Sequence, residues 1–106
     1  MIVIDFTAKD KDDDMTEYVL DIRGHAGYNP GNDIVCSAAS MLAETYFMAV
    51  LKNVEKISQA YRHPGDYKVV FVTERDDKAA DIVYQTIRTG FKMLAERYPE
   101  YVDLKK

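Results

Sequence analysis

Alternating hydrophobic and polar positions near the start of the chain predict two strands. The first covers residues 1–7 and the second covers residues 16–24. A period of two is typical of strands that bury one face. The apolar positions are Ile2, Ile4 and Phe6 in the first strand and Tyr18, Leu20 and Ile22 in the second. Because the short polar segment KDKDDD precedes the second strand, we expect an antiparallel hairpin.

Two longer segments have the spacing of helices. One runs from Ile34 to about Gln59, and the other begins at a cap formed by Asp76 or Asp77 and ends before Pro99. Apolar residues recur in both at intervals of three or four, which places them on one face. The predicted core faces consist of Val35, Ala38, Leu42, Ala49 and Val50 in the first helix and of Ala79, Val83, Ile87, Gly90 and Leu94 in the second.

Two further strands complete the predicted fold. Pro64 and Gly65 break the first helical segment, residues 67–73 have the composition of a buried strand, and EYVDL predicts a short last strand. The order ββαβαβ predicts an α+β two-layer domain, a mainly antiparallel sheet with two helices across one face. We expect a single domain over residues 1–106, because a chain of this length supports one hydrophobic core.

The first predicted helix is apolar around much of its circumference. Outside its predicted core face lie Met41, Tyr46, Phe47, Met48 and Leu51. A helix of this kind is buried on two sides. In a small domain the pattern favours a subunit interface, and therefore a homodimer, over a sheet that curls around the helix.

Charge and composition exclude several classes of function. The net charge is −4 and the basic residues are scattered, so we expect no direct nucleic-acid binding. The sequence opens with no signal-peptide pattern and its uninterrupted apolar runs are short, so we expect no membrane span. A single cysteine suits a reducing compartment, and the expected location is the cytoplasm.

The motifs predict neither a metal nor a cofactor. The acidic run at residues 10–14 fails as an EF-hand, because Met15 stands where glycine is needed and Asp21 where glutamate is needed. His63 has no second ligand at zinc spacing. We interpret the run as a solvated turn and His63 as a surface residue.

The segment GHAGYNPGNDIVCSAAS contains the only cysteine, Cys36, and one of the two histidines, His25. Asp33 is a good N-cap, which places Cys36 in the first turn of the first helix. A helix start stabilises an anion by about 0.3–1 kcal/mol, which is too little to ionise a thiol fully at neutral pH. An activated Cys36 therefore needs a second cation, for which His25 is the candidate. From these residues alone, a catalytic and a structural cysteine both remain open.

The neighbouring residues predict how this loop behaves. Gly24 allows the backbone to turn beside the histidine, and Gly27 and Gly31 give the loop freedom. Tyr28 either lines a substrate groove or covers the edge of the fold. Ser40 lies one helical turn after the cysteine, where it either hydrogen bonds near the thiol or lets the helix pack closely.

The same segment resembles the signature of the Prp family, the ribosomal-processing cysteine proteases of certain bacteria. That signature reads Gly-His-Ala, a variable glycine-containing loop, then Asp-Ile-Val-Cys, small residues and a serine. The matching positions are Gly24, His25, Ala26, Asp33, Ile34, Val35, Cys36 and Ser40. Chain length and the order of the predicted elements match as well, so the resemblance covers essentially the whole chain.

The resemblance implies a cysteine endopeptidase that removes the amino-terminal extension of a large-subunit ribosomal protein, so that a ribosomal protein precursor is its substrate. It also implies a homodimer, cleavage after an aromatic and before a small residue, and a loop ordered by the substrate. His25 and Cys36 carry over as the catalytic dyad, and Asp33 and Ser40 carry over as signature positions.

In the expected mechanism, Cys36 attacks the scissile carbonyl, N–H groups at the helix start stabilise the oxyanion, and His25 protonates the departing amine. Asp33 either caps the helix or orients His25, and as a cap it takes N–H groups that would otherwise serve the oxyanion. The competing interpretation is a non-enzymatic dimeric adaptor that binds ribosomal proteins, in which Cys36 is structural.

Overall fold

Five strands and two helices make up the protein in a computed structural model, which describes residues 1–105. In chain order the elements are β1 (Ile2–Lys11), β2 (Met15–Arg23), α1 (Ile34–Asn53), β3 (Ile57–His63), β4 (Asp66–Glu74), α2 (Lys78–Arg97) and β5 (Val102–Leu104). The strands form one sheet in the order β3-β4-β2-β1-β5. Neighbouring strands are antiparallel except for β1 and β5, which are parallel. The predicted hairpin of the first two strands is confirmed.

Both helices pack on one face of the sheet and share a single core with it. Ile4, Phe6 and Leu20, which alternate along β1 and β2, are completely buried there. The ring of Phe6 lies at the centre, edge-on to Tyr46 of α1 at 4.9 Å and to Tyr84 of α2 at 4.7 Å between centroids. The α+β two-layer class, with two helices on a mainly antiparallel sheet, is therefore confirmed.

The first helix ends at Asn53, so its predicted end near Gln59 is wrong. The backbone is extended at Val54, the C-cap, and Ile57–His63 forms β3, which pairs with β4. Because β3 is an edge strand with mostly exposed side chains, it lacks the alternation that marks a strand in a sequence. The predicted order ββαβαβ is present with this one strand added after α1.

The buried faces of both helices are rotated from the predicted ones. The residues actually buried are Val35, Ala39, Ala43, Tyr46 and Val50 in α1 and Ala80, Tyr84, Ile87, Phe91 and Leu94 in α2. Of the predicted positions, Ala38, Leu42, Ala49, Val83 and Gly90 are half-buried and Ala79 is exposed. In α1 the large ring of Tyr46 packs against Phe6, where the prediction placed smaller side chains, and in α2 the ring of Tyr84 does the same.

By length and composition alone, α1 is apolar enough to cross a membrane, although its uninterrupted apolar runs are short. Its polar residues are mostly small and uncharged, so they interrupt the runs without making the helix polar. The core helix of a soluble protein passes the same test, and α1 packs one face against the sheet. On its other face Met41, Met48 and Leu51 are exposed, so the sheet does not cover these three residues, whereas Tyr46 is buried in the core.

Candidate active site

The two predicted reactive residues lie at either end of one irregular connection. Residues 24–33, here called the site loop, join β2 to α1 without helix or strand. His25 is the second residue of the site loop and is exposed. Cys36 lies in the first turn of α1, as predicted, and is half-buried.

Asp33 holds the start of α1 and the site loop together. Its Oδ1 accepts hydrogen bonds from the backbone N–H groups of Val35 (2.9 Å) and Cys36 (3.0 Å). Its Oδ2 accepts from the backbone N–H groups of Tyr28 (2.9 Å) and Asn29 (3.1 Å). Asp33 is therefore the N-cap of α1, and its carboxylate does not bond to the imidazole.

These hydrogen bonds change the acidity of Asp33. Desolvation acts to raise its pKa, but the four backbone N–H groups act in the opposite direction and together hold the pKa below its ordinary value of 3.8. The carboxylate is therefore ionised at neutral pH, and it holds both the helix start and the site loop.

The sulfur of Cys36 accepts a hydrogen bond from the backbone N–H of Ala26, with 3.2 Å between N and Sγ. Ala26 is 3% exposed, so packing fixes this donor. This N–H group points at the sulfur, so it is placed to donate to negative charge that develops there during a reaction. The Val35 and Cys36 N–H groups, expected to serve an oxyanion, are instead bound by Asp33.

His25 and Cys36 line the same cavity, which has a volume of about 170 Å³. Its walls are Ile2, Ile22, Gly24, His25, Cys36, Ala39, Ser40, Pro64, Gly65 and Tyr67. The structure brings the pair to one cavity, and among the hydrogen bonds of residues 1–105 none joins the imidazole to the sulfur. Ser40 lies beside Cys36 in the same wall, as its spacing predicts.

Two glycines fix the position of His25. The Gly24 N–H donates to the Gly65 carbonyl at 2.9 Å, which ties the site loop to the turn between β3 and β4. A Cβ at Gly65 would lie 2.6 Å from His25 Nε2, and a Cβ at Gly24 would lie 2.3 Å from the Met1 carbonyl oxygen. The backbone φ is also positive at both, 94° at Gly24 and 72° at Gly65. Glycine is therefore required at both positions.

The residues predicted to form a substrate loop lie on the outer side of the site loop. A Cβ at Gly27 or Gly31 would meet open space. The ring of Tyr28 packs edge-on against Tyr98 and Tyr101 and does not line the cavity. In this structure Tyr28 covers the edge of the fold, one of the two positions expected of it.

Sequence reasoning missed the part of the cavity wall that lies at and just after the turn between β3 and β4. Pro64, Gly65 and Tyr67 line the cavity, but the sequence identified them only as a break and the start of a strand. The Pro-Gly dipeptide does predict a tight turn. Nothing local, however, indicates that this turn meets His25, because the contact spans 40 residues of sequence and depends on the pairing of β2 with β4.

A larger groove of about 810 Å³ lies between α2 and β5, away from Cys36. Charged residues such as Arg88, Lys92, Glu96 and Asp103 line it, and it contains neither cysteine nor histidine. In the part of the chain that the structure describes, no three histidine, cysteine or acidic residues are grouped to hold a metal ion. The chemistry of a nucleophile is therefore concentrated in the smaller cavity.

The comparison with known families identifies the class of protein that contains this cavity. The family described as cysteine protease Prp matches residues 1–103. The chain belongs to the Prp family of cysteine proteases. It is therefore a protease, and the interpretation as a non-enzymatic adaptor is set aside. A search of curated proteins finds no match.

Solved structures share the fold over nearly the whole chain. The essential ribosomal processing protease Prp from S. aureus, in complex with a covalently linked product peptide, is 24% identical with a TM-score of 0.75, over 99% of this chain and 98% of that chain. The same protease with a substrate peptide is 24% identical with a TM-score of 0.71, over 99% and 98%. SMU.848 from Streptococcus mutans is 27% identical with a TM-score of 0.73, over 99% and 96%.

Proposed function

We propose that this Prp-family protease removes the amino-terminal extension from the precursor of a large-subunit ribosomal protein, with Cys36 as nucleophile and His25 as acid and base. The observation that carries the proposal is the cavity that both residues line, at a helix start where the Ala26 N–H donates to the sulfur. The substrate class is supported by the similar S. aureus protein, a ribosomal processing protease.

Acylation begins when the Cys36 thiolate attacks the scissile carbonyl carbon. The S–C bond forms while the carbonyl π electrons move to oxygen, and that oxyanion needs a hydrogen-bond donor. The Ala26 N–H is this donor, because it already faces the sulfur, whereas the Cys36 N–H donates to Asp33. The C–N bond then breaks, and the His25 imidazolium gives its proton to the departing amine.

Deacylation returns the enzyme to its starting state. Neutral His25 takes a proton from water as the water oxygen attacks the thioester carbon, and the C–S bond breaks to release the carboxylic product and the thiolate. Both steps need His25 within hydrogen-bond reach of the reacting groups, whereas in the free enzyme no hydrogen bond joins it to the sulfur. Catalytic hydrogen bonds often tighten in this way when substrate binds.

The walls of the cavity support a preference for an aromatic residue before the cleaved bond. Ile2, Ile22 and Tyr67 give the cavity an apolar lining, and its volume of about 170 Å³ suits one large side chain. The small residue on the other side of the bond lies outside this cavity, next to the exposed His25.

We further propose that the enzyme is a cytoplasmic homodimer that pairs through α1. Ile34, Met41, Met48 and Leu51 are between 48% and 67% exposed along one side of this helix. A stripe of large apolar side chains on one face favours association, because pairing removes it from water.

The test of the proposed activity is to incubate the purified protein with the ribosomal protein precursor and to follow the shortened product by mass spectrometry. We expect the Cys36→Ala and His25→Ala variants to lose activity by a factor of about 10³ or more. His63→Ala is the matched control, because His63 is exposed and does not line the cavity. Full processing by either cavity variant would refute the assignment of the dyad.

A further inference from the structure

Three tyrosines from two distant parts of the chain meet on the outside of the site loop. The ring of Tyr28 lies 5.5 Å from that of Tyr98 and 5.2 Å from that of Tyr101, at interplanar angles of 75° and 83°. Edge-to-face packing at these distances is the preferred geometry for aromatic pairs. We call Tyr28, Tyr98 and Tyr101 the tyrosine clamp.

Two of these tyrosines sit on a corner that is itself held by hydrogen bonds. Tyr98 is the C-cap of α2, and its carbonyl accepts from the N–H groups of Tyr101 and Val102, both at 3.0 Å. The Tyr101 carbonyl accepts from the Ile2 N–H at 2.9 Å, which joins the corner to β1. These hydrogen bonds hold the corner in place, and Tyr28, from a loop that has no regular structure, packs its ring against it.

Tyr28 connects this corner to the sulfur through backbone hydrogen bonds. The Tyr28 N–H donates to Asp33 Oδ2, and Asp33 Oδ1 accepts from the N–H of Cys36. Two residues before Tyr28, the Ala26 N–H donates to Cys36 Sγ. The ring contact thus fixes the backbone stretch that carries both the donor to the sulfur and, one residue earlier, His25.

We propose that the tyrosine clamp positions the site loop for catalysis, so that Tyr28, Tyr98 and Tyr101 are positioning residues that act through Ala26 and Asp33. They do not line the cavity and do not touch the reacting atoms. The effect of the clamp on proteolysis rests on the proposed role of Cys36, whereas its effect on the sulfur does not.

The first measurement is the pH dependence of Cys36 alkylation by iodoacetamide, which needs no substrate. In Tyr28→Ala the site loop loses its anchor and the Ala26 N–H moves from the sulfur, so the midpoint of alkylation moves to higher pH. Tyr28→Phe keeps the ring and restores the wild-type profile. Tyr61→Ala is the matched control, because Tyr61 lies on β3 at the opposite edge of the sheet. An unchanged profile in Tyr28→Ala would overturn the clamp.

The second measurement is precursor cleavage by the single and double variants. We expect Tyr28→Ala to lower kcat about tenfold with little change in KM, since a misplaced catalytic loop costs rate more than binding. Tyr98→Leu, which keeps apolar bulk and protects the fold, should have a similar effect. Because both break the same contact, the double variant should be no slower than Tyr28→Ala.

The results separate the clamp from the proposed function. Additive losses, or a Tyr28→Ala effect on KM alone, would show that Tyr28 binds substrate and would overturn the clamp. If the wild-type protein leaves the precursor uncut while Tyr28→Ala still shifts the alkylation profile, the proposed substrate fails and the clamp stands. If Cys36-dependent cleavage is found but Tyr28→Ala cleaves and alkylates normally, the clamp alone fails.

Discussion

The two helices begin with the same kind of N-cap, but the two capping residues hold different parts of the molecule. Each has 20 residues and an aspartate N-cap whose Oδ1 accepts from the N–H three residues later, at 3.0 Å in both cases. In α2 the second oxygen of Asp77 accepts from the Thr73 hydroxyl of β4 at 2.8 Å. In α1 the second oxygen of Asp33 instead holds the site loop.

The cavities next to the two helix starts differ in whether a histidine and a cysteine line them. The cavity that Asp77 and Ala80 line has a volume of about 130 Å³ and no histidine or cysteine in its walls. The cavity beside Cys36 is of similar size, about 170 Å³, and holds both. A capped helix start therefore does not by itself bring a cysteine and a histidine to one cavity. At α1 the helix contributes Cys36 and the site loop contributes His25.

The largest expected difference between the two caps is in activity. Asp33→Ala should lower kcat/KM for precursor cleavage about 100-fold, because the Ala26 donor and His25 lose their support. Asp77→Ala should cost about 1 kcal/mol in the free energy of unfolding and leave kcat/KM within twofold well below the Tm. Equal losses of activity in the two variants, measured with urea unfolding curves alongside, would remove the distinction between the caps.

The outer faces of the two helices provide the next test. Met41 on α1 and Met93 on α2 are equally exposed, at 67% and 66%. If only α1 pairs, Met41→Glu should raise the dimer Kd about thirtyfold, because a carboxylate is buried in an apolar contact. Met93→Glu should leave sedimentation unchanged. A dimer that tolerates Met41→Glu would place the interface elsewhere.

The support of His25 is tested by two glycines of matched backbone strain. Gly27 and Gly65 have φ of 71° and 72°, but only at Gly65 would a Cβ meet the imidazole. Alanine at either position should cost about 1–2 kcal/mol of stability through the left-handed backbone. Gly65→Ala should additionally lower kcat about tenfold relative to Gly27→Ala. If the two variants have the same kcat, His25 does not depend on this contact.

The smallest expected effect is on acid stability. The pKa of Asp77, like that of Asp33, lies below its ordinary value of 3.8, in this case because the Ala80 N–H and the Thr73 hydroxyl bind the carboxylate. A lowered pKa gives stability that is complete above the pKa of the unfolded chain and is lost as pH falls through that of the folded chain. Asp33→Asn and Asp77→Asn should each reduce the loss of stability between pH 5 and pH 3, measured by urea midpoints. Wild-type slopes in both variants would contradict this.

Local signals predicted the parts of the molecule that local physics determines. Alternation in β1 and β2 predicted the hairpin, and an aspartate before an apolar run predicted the cap at Asp33. The same cap placed Cys36 in the first helical turn. In each case the forces lie within a few residues of sequence, whereas the role of His25 was expected from the family resemblance and stays a prediction.

Contacts between distant segments were not predictable from those signals. β3 has a largely exposed edge position and therefore no hydrophobic pattern of its own. The rotation of α1 depends on how the Tyr46 ring fits above Phe6 from another layer. The contacts of Gly65 with His25 and of Tyr28 with Tyr98 depend on the sheet order. A single sequence does not state which surfaces meet.

The parallel pairing of β1 with β5 has a consequence for the making of this enzyme. Ile2, a wall of the cavity, is held by Tyr101 and pairs with Val102, about 100 residues later in the chain. Such long-range contacts form only after the whole intervening chain has been synthesised. During translation, the thiol of Cys36 therefore emerges from the ribosome well before the site around it is complete. We expect the growing chain to be inert as a protease until its own synthesis has passed Val102.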